Sequence, residues 1–373
     1  MVPEKNVVMR ITFVSNTGYS LFHREVQETY GGAQVDLYLL AKEFSKNTNY
    51  EVSIIYLDYG QALVEQVGRI RLHKSYKPRR KGSPLFFQFA IACFKLWGAL
   101  SRANASVYFH EGAEFEIAIT RIFCFVKRRK YILRLASIGD VDSRYRRANP
   151  VHSRLFNFGL FGASAVVAQT HDQARLLVSL KKPVSIIDNV FPYQNRQPDE
   201  HKNIIWVGRL IKMKRAEIFL RLAKTFPRDH FVLLGPVDAI DQGYARTIQR
   251  ATRNIDNLKY IEKVPFHNVS EVFAKAYLLI NTSEYEGFPM TFVQAMSAGV
   301  PILTLGIDPD NVVSKYAGYV ARDENEMQKM YVQMFQPKIW SLFSQSGQKY
   351  AKDNFSSSVV IPKYQKILDS IAP

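Results

Sequence analysis

The 373-residue chain is short of cysteine. Cys93 and Cys124 are its only two, too few for a disulfide framework or a cysteine metal cage, so a reduced cytoplasmic setting is expected. Long apolar runs are also missing. The nearest, "PLFFQFAIACFKLWGAL" at 84–100, is broken by Gln88 and Lys95 and does not reach the ~18 uninterrupted apolar residues that suggest a membrane span. The amino terminus, "MVPEKNVVMRITFVS", lacks a signal-peptide pattern, and its short apolar run reads as a strand. Acidic residues are the third shortage. Against 50 Lys and Arg stand 33 Asp and Glu, a net charge of +17. The imbalance sits mainly in residues 1–193, with 27 basic against 15 acidic side chains; the remainder has 23 against 18. An anionic partner is therefore expected on the first half: a membrane surface, a nucleic acid or a phosphorylated acceptor.

What is present describes a folded protein. Hydrophobic residues make up 47% and charged residues 22%, which excludes a disordered chain, and the length suffices for two domains with their own cores. Short β-rich runs alternate with amphipathic ones. "VVMRITFV" reads as a strand; "GGAQVDLYLLAKEFSK" reads as a helix with Leu37, Leu40, Ala41 and Phe44 on one side. "EVSIIYLD", "SVYFHEG", "KYILRLAS", "ASAVVAQT" and "VSIIDNV" follow as strands, and Thr170 or Asp172 is placed to cap the helix before the last of them. "PYQNRQPDEHKN" at 192–203 reads as a linker, after which the alternation restarts with "NIIWVGR". The pattern predicts two doubly wound α/β domains with parallel sheets, and a ligand cleft between them at the carboxyl ends of the strands.

Two segments of the second half carry chemistry. In "WVGRLIKMKRAE", Arg209 and Lys214 follow a strand that ends at Gly208, where an anionic ligand would sit. Arginine offers a planar fork and lysine a point charge, although a solvated basic helix start has the same sequence pattern. In "SEYEGFPMTFVQAMSAGVP", a strand gives way to a turn at Glu284–Pro289 and then to a helix from about Pro289 to Ala298. Its first amides, near Met290 and Thr291, form a seat for a phosphate, with Glu286 just before it. Glu286 either favours the helix dipole or accepts hydrogen bonds from ligand hydroxyls.

Taken together, "VGRL" with Lys214 and "SEYEGFPMTFVQAMSAGVP" resemble the family 4 retaining glycosyltransferases of the GT-B fold. The resemblance extends over nearly the whole chain, from "MRITFVS" and "GGAQVDLYLLAKEF" through "VVAQT" and "IIDNV" to "SSSVVIPKYQKIL". It implies an acceptor-binding domain at 1–193, a nucleotide-sugar-binding domain at 194–354 and a terminal helix, 355–373, that crosses back onto the first. It implies a nucleotide-diphosphate sugar as donor substrate, no cofactor, and no metal. Arg209 and Lys214 would bind the donor diphosphate, and Glu286 the sugar hydroxyls. Gly287, Phe288, Pro289, Met290 and Thr291 would complete the donor site. Gly31 and Gly32 match the glycine-rich donor loop, and His110 a histidine near the sugar. The family signature of two glutamates with seven residues between them is filled here by Glu286 and Gln294, the latter at the ribose position. An amide both accepts and donates, so the exchange is compatible with donor binding. A second family histidine has no counterpart in "LRLASIGDVD"; Ser137 or Asp140 is available there. His110, Glu111 and Asp140 are acceptor-side candidates; Glu111, Glu114 and Asp142 are acids that spacing cannot rank.

Other readings stay open at this stage. Asp140 and Asp142 in "GDVD" would suit a divalent cation in a metal-dependent glycosyltransferase. "KSYKPRRK", "KRRK" and "RYRR" would suit a nucleic acid, but no recognisable nucleic-acid module accompanies them. Lys74, Lys77, Arg79, Arg80 and Lys81 precede the 84–100 helix, which suits docking on an anionic membrane surface. A buried helix behind a solvated basic loop is the alternative. The overall expectation is a cytoplasmic hexosyltransferase of surface polysaccharide or glycolipid synthesis, peripheral on the inner face of the membrane.

Overall fold

The computed structural model describes residues 8–26, 28–78, 85–112, 115–141, 150–177, 184–192, 203–238 and 241–371. The chain divides into two compact units, Met1–Val190 with Val360–Pro373, and Phe191–Val359. Most of the sequence read as a linker, 192–203, falls outside the described residues, as do Arg79, Arg80, Lys81, Glu114, Asp142 and "RYRR".

The first unit is built on β1 (Met9–Val14), α1 (Gly32–Lys46), β2 (Tyr50–Tyr56), β3 (Val64–Val67), β4 (Ile70–Lys74), α2 (Leu85–Ala103), β5 (Val107–Glu111), α3 (Glu116–Val126), β6 (Lys130–Arg134), α4 (Pro150–Gly162), β7 (Ala165–Ala168), α5 (His171–Leu176) and β8 (Val184–Ile186). Its sheet has the order β3-β4-β2-β1-β5-β6-β7-β8. All pairings are parallel except β3 with β4, a hairpin at the sheet edge that the strand pattern alone does not reveal. The hairpin turns through Gly68, whose φ of 57° suits a residue without a side chain. Thr170, of the two residues predicted to cap α5, is the one that does so, accepting the Gln173 N–H.

Strand alternation divides this core between two faces. Tyr108 packs edge-on against Phe123 of α3, while the next residue, Phe109, stacks on Phe13 and also meets Phe44 of α1. The chain returns to this second face at its end. In α12 (Ser357–Ile371), Tyr364 is buried against Phe44 and Phe109.

The second unit contains β9 (Asn203–Val207), α6 (Ala216–Thr225), β10 (His230–Leu234), α7 (Gln242–Thr252), β11 (Leu258–Ile261), α8 (Phe266–Ala274), β12 (Ala276–Asn281), α9 (Met290–Ser297), β13 (Ile302–Leu305), β14 (Gly318–Ala321), α10 (Glu324–Met334) and α11 (Pro337–Phe355). The strands run in the order β11-β10-β9-β12-β13-β14, all parallel. Its core gathers Trp206, Phe219, Phe231, Leu278, Ile280 and Tyr331. Gly318 is fixed by close approach: a Cβ there would lie 1.7 Å from the Ile302 carbonyl oxygen, so β14 could not pair in this register with any side chain at that position.

Candidate functional site

In the second unit the strand order reverses between β9 and β12, and crevices at such reversals receive ligands in open α/β sheets. The loops leaving these two strands are tied together. The Glu284 N–H donates to the Met213 carbonyl at 2.9 Å, and the Thr282 hydroxyl donates to the Lys214 carbonyl at 2.6 Å. Arg215 adopts a left-handed backbone with φ 49°, uncommon for a residue with a side chain. Its guanidinium donates to the carbonyls of Thr282 at 2.6 Å and Ser283 at 3.0 Å. That latch holds the 3₁₀ turn Lys212–Lys214 against the end of β12.

The latch brings two of the predicted site residues into contact. Lys214 Nζ forms an ion pair with Glu286 Oε1, and both side chains are mostly but not fully covered. Arg209 is held differently, by Asp238 in the loop after β10, with Nη1 to Oδ2 at 2.9 Å. Gly287, Phe288 and Pro289 lead from Glu286 into α9. Phe288 is buried edge-on against Phe355, and Pro289 occupies the N-cap position. Among the described residues no side chain caps α9 and no acid lies in its first turn, so helix geometry leaves the Met290 and Thr291 amides without an intrahelical partner. Gln294 lies one turn further on, 8% exposed, and among the described residues its amide has no hydrogen-bond partner.

The other predicted residues belong to the first unit. Its sheet reverses between β1 and β5. Gly31 is the N-cap of α1 and Gly32 its first residue, on the segment that follows β1. The Gly31 φ of −109° is open to any residue, so at that position the backbone does not require glycine. His110 lies near the end of β5, fully buried, and among the described residues its Nδ1 has no partner. Burial disfavours its charged form and lowers its pKa to about 4, so the imidazole is neutral at pH 7.

Glu111 turns into a buried charge cluster. Arg134, 1% exposed, binds Asp36 of α1 through Nε at 2.7 Å and lies 3.8 Å from Glu111 Oε2. Nη1 donates to the Ile187 carbonyl at 3.1 Å, and Nη2 donates to Asn189 Oδ1. Burial pushes both carboxyls upward, that of Glu111 well above the usual range, with Arg134 opposing. Asp140 serves locally: its Oδ2 accepts the N–H groups of Ala136 and Ser137, both at 2.9 Å. Ser137 in turn caps the 3₁₀ turn Ile138–Asp140.

Asp36, Arg134, Arg215 and Asp238 are absent from the sequence-based candidates. A charged residue inside an apolar run, as in "VDLYLL" and "YILRLA", was the available signal for the first two. For Asp238 it was an acid just beyond a strand end, in "HFVLLGPVD".

Two doubly wound units with these sheets define the GT-B fold class. Residues 189–328 match the family model described as Glycosyl transferases group 1. A 156-residue stretch is 21% identical to Glycosyltransferase 1 domain-containing protein 1 of Xenopus tropicalis; it covers 41% of this chain and 45% of that relative's length. Among solved structures, sucrose-phosphate synthase from Thermosynechococcus elongatus superposes with a TM-score of 0.80 at 14% identity, over 97% of this chain and 99% of the other. Anabaena HepE in complex with UDP gives 0.73 at 15%, over 97% and 100%. At these identities the solved structures speak for the fold.

Proposed function

We propose that the protein is a glycosyltransferase. It moves a hexosyl group from a nucleotide-diphosphate sugar to a hydroxyl of a glycan or lipid-linked acceptor, with retention and without a metal, in cytoplasmic synthesis of a surface polysaccharide or glycolipid. One observation carries the reading: the Lys214–Glu286 pair stands beside the uncapped start of α9, at the reversal point of the second sheet.

A donor of this class combines a diphosphate with a hydroxyl-rich sugar. Lys214, Arg209 and the first amides of α9 suit the phosphates. Glu286 suits the sugar hydroxyls, and Gln294, whose amide both donates and accepts, suits a ribose. In the reaction the sugar–phosphate bond breaks and its electron pair stays on the leaving diphosphate. The acceptor oxygen bonds to the sugar carbon, and its proton passes to the leaving phosphate oxygen. Once Lys214 and Arg209 exchange their carboxylate partners for the diphosphate, they and the first amides of α9 stabilise the charge as it grows. For the first unit we keep the roles implied by resemblance: backbone approach to the phosphates at Gly31 and Gly32, a neutral hydrogen-bonding His110 near the sugar, and reception of the acceptor. Retention and the pathway rest on the resemblance alone.

Because HepE is described in complex with UDP, uridine donors come first in a thermal-shift screen of nucleotide sugars. A ligand at a hundred times its Kd stabilises the folded state by about 2.7 kcal/mol, enough for a clear shift. Lys214→Ala and Glu286→Ala should abolish that shift and lower turnover by roughly 10²-fold or more, with unliganded melting nearly unchanged. Near-normal turnover in both variants, or no response to any nucleotide, would overturn the reading.

A further inference from the structure

On the first unit, α2, α3 and α4 all pack against the same side of the sheet, in a core that includes Leu96, Tyr108, Phe123 and Phe156. Each also carries a second apolar stripe that faces away from that core. In α2 the core stripe is Ala92, Leu96, Ala99 and Ala103; opposite it, Phe87, Ile91 and Phe94 recur at i, i+4 and i+7, with Phe94 81% exposed. In α3 the outward residues are Ile122, Phe125 and Val126, with Phe125 84% exposed. In α4 they are Val151, Phe158 and Phe161. The three helices are neighbours. The Phe89 ring of α2 lies 5.2 Å from the Phe115 ring at the start of α3, and the Arg121 guanidinium of α3 lies 3.8 Å over the Phe158 ring of α4. Single exposed apolar residues are ordinary, but outward apolar stripes on three adjacent helices mark a surface that binds something.

The charge around this face selects the occupant. Lys95, Arg102, Lys127, Arg128 and Arg154 are exposed on these helices or on the turn after α3. Among the described residues of the three helices the one acid is Glu116, which is buried and bonded by the Tyr76 hydroxyl. Large apolar side chains ringed by unopposed cations match an anionic bilayer, where the rings enter the acyl boundary and the cations meet the headgroups. A second copy would bring two cationic faces together, and a nucleic acid would leave the outermost phenylalanines without an apolar partner. None of the helices in the described residues is long and apolar enough to cross a membrane, so contact here means lying on the surface.

We infer that the outer face of α2, α3 and α4 is a docking surface for an anionic lipid bilayer. This does not rest on the transferase reading, since it needs neither donor nor acceptor. Flotation of the full chain with vesicles of phosphatidylcholine alone, and with ~30 mol% phosphatidylglycerol added, tests it. Wild type should float with the anionic vesicles and at least about tenfold less with the neutral ones, because each cation near an anionic surface adds roughly fivefold to binding. The pair Phe94→Ser with Phe125→Ser should cut binding by about tenfold or more. Lys127→Glu with Arg128→Glu should do the same, and added salt should weaken the wild type. Melting temperature and the nucleotide shift should be unchanged in both double variants, which separates failure here from failure of the donor site. No flotation of wild type, equal flotation with both vesicles, or full binding by the Phe94/Phe125 variant would each overturn the inference. So would a concentration-dependent dimer that the Phe94/Phe125 variant dissolves while vesicles stay empty.

Discussion

The two units share an architecture and use charge in opposite ways. In the second, Lys214–Glu286 and Arg209–Asp238 stand at the ends of the strands, partly open to water, joined by loops. In the first, Arg134 is buried between α1 and the sheet with Asp36 and Glu111. Ion pairs open to solvent add little to stability and are free to exchange partners. Buried ones are costly to break, because a charge is left without water or counter-ion. The fold thus keeps exchangeable charge at the proposed donor site and locked charge where helix and sheet stay joined.

That contrast can be broken by mutation. Arg134→Met should be the largest effect, a loss of about 3–5 kcal/mol, since Asp36 and Glu111 would stay buried without their cation. Arg209→Ala should cost less by the same denaturant titration, about 1–2 kcal/mol, because the guanidinium is partly exposed although Asp238 is buried. Equal losses would erase the distinction between the units.

Acid should strike the first unit next. Burial lowers the pKa of His110 and of His73 to about 4 each, in the second case with Arg102 and Arg71 adding to the effect. Their unfolded value is about 6.5, so below it the unfolded chain binds protons that the folded chain refuses. Stability from these two is complete above pH 6.5 and falls toward pH 4. At pH 5 each should cost roughly 2 kcal/mol, and calorimetry of wild type against His73→Gln should show a shallower acid slope in the variant.

The smallest effect should come from Gln294→Glu. Either side chain accepts hydrogen bonds from hydroxyls, so donor affinity should change by less than about tenfold in a titration with the donor found by screening. A loss beyond that would mean that the amide donates a bond the ligand requires.

How much of this could be read from the chain follows from the range of the forces involved. The strands, the helix starting near Gly32 and the turn from Glu284 to Pro289 are local patterns, and they are legible. Lys214 and Glu286 are legible as candidates by resemblance; their contact is not, because it depends on which strands are neighbours. Asp36 and Arg134 lie 98 positions apart and look like stray charges until the sheet assembles. The helix at 84–100 was ambiguous for another reason. With apolar residues on both the core stripe and the outer stripe, nothing in its periodicity says which side is inward. β3 and β4 are short and partly polar, so their pairing rests on the turn at Gly68 more than on hydrophobic pattern.

The Lys214–Glu286 contact also has an electrical consequence at a distance. A joined cation and carboxylate form a dipole, whose field decays faster than that of a lone charge, so the resting pair exerts little long-range pull on an approaching anion. The protein's net +17 does that work, and dissolved salt screens it. Ionic strength should therefore slow the arrival of an anionic ligand far more than it loosens one already seated, where separation of the pair supplies a cation at contact range.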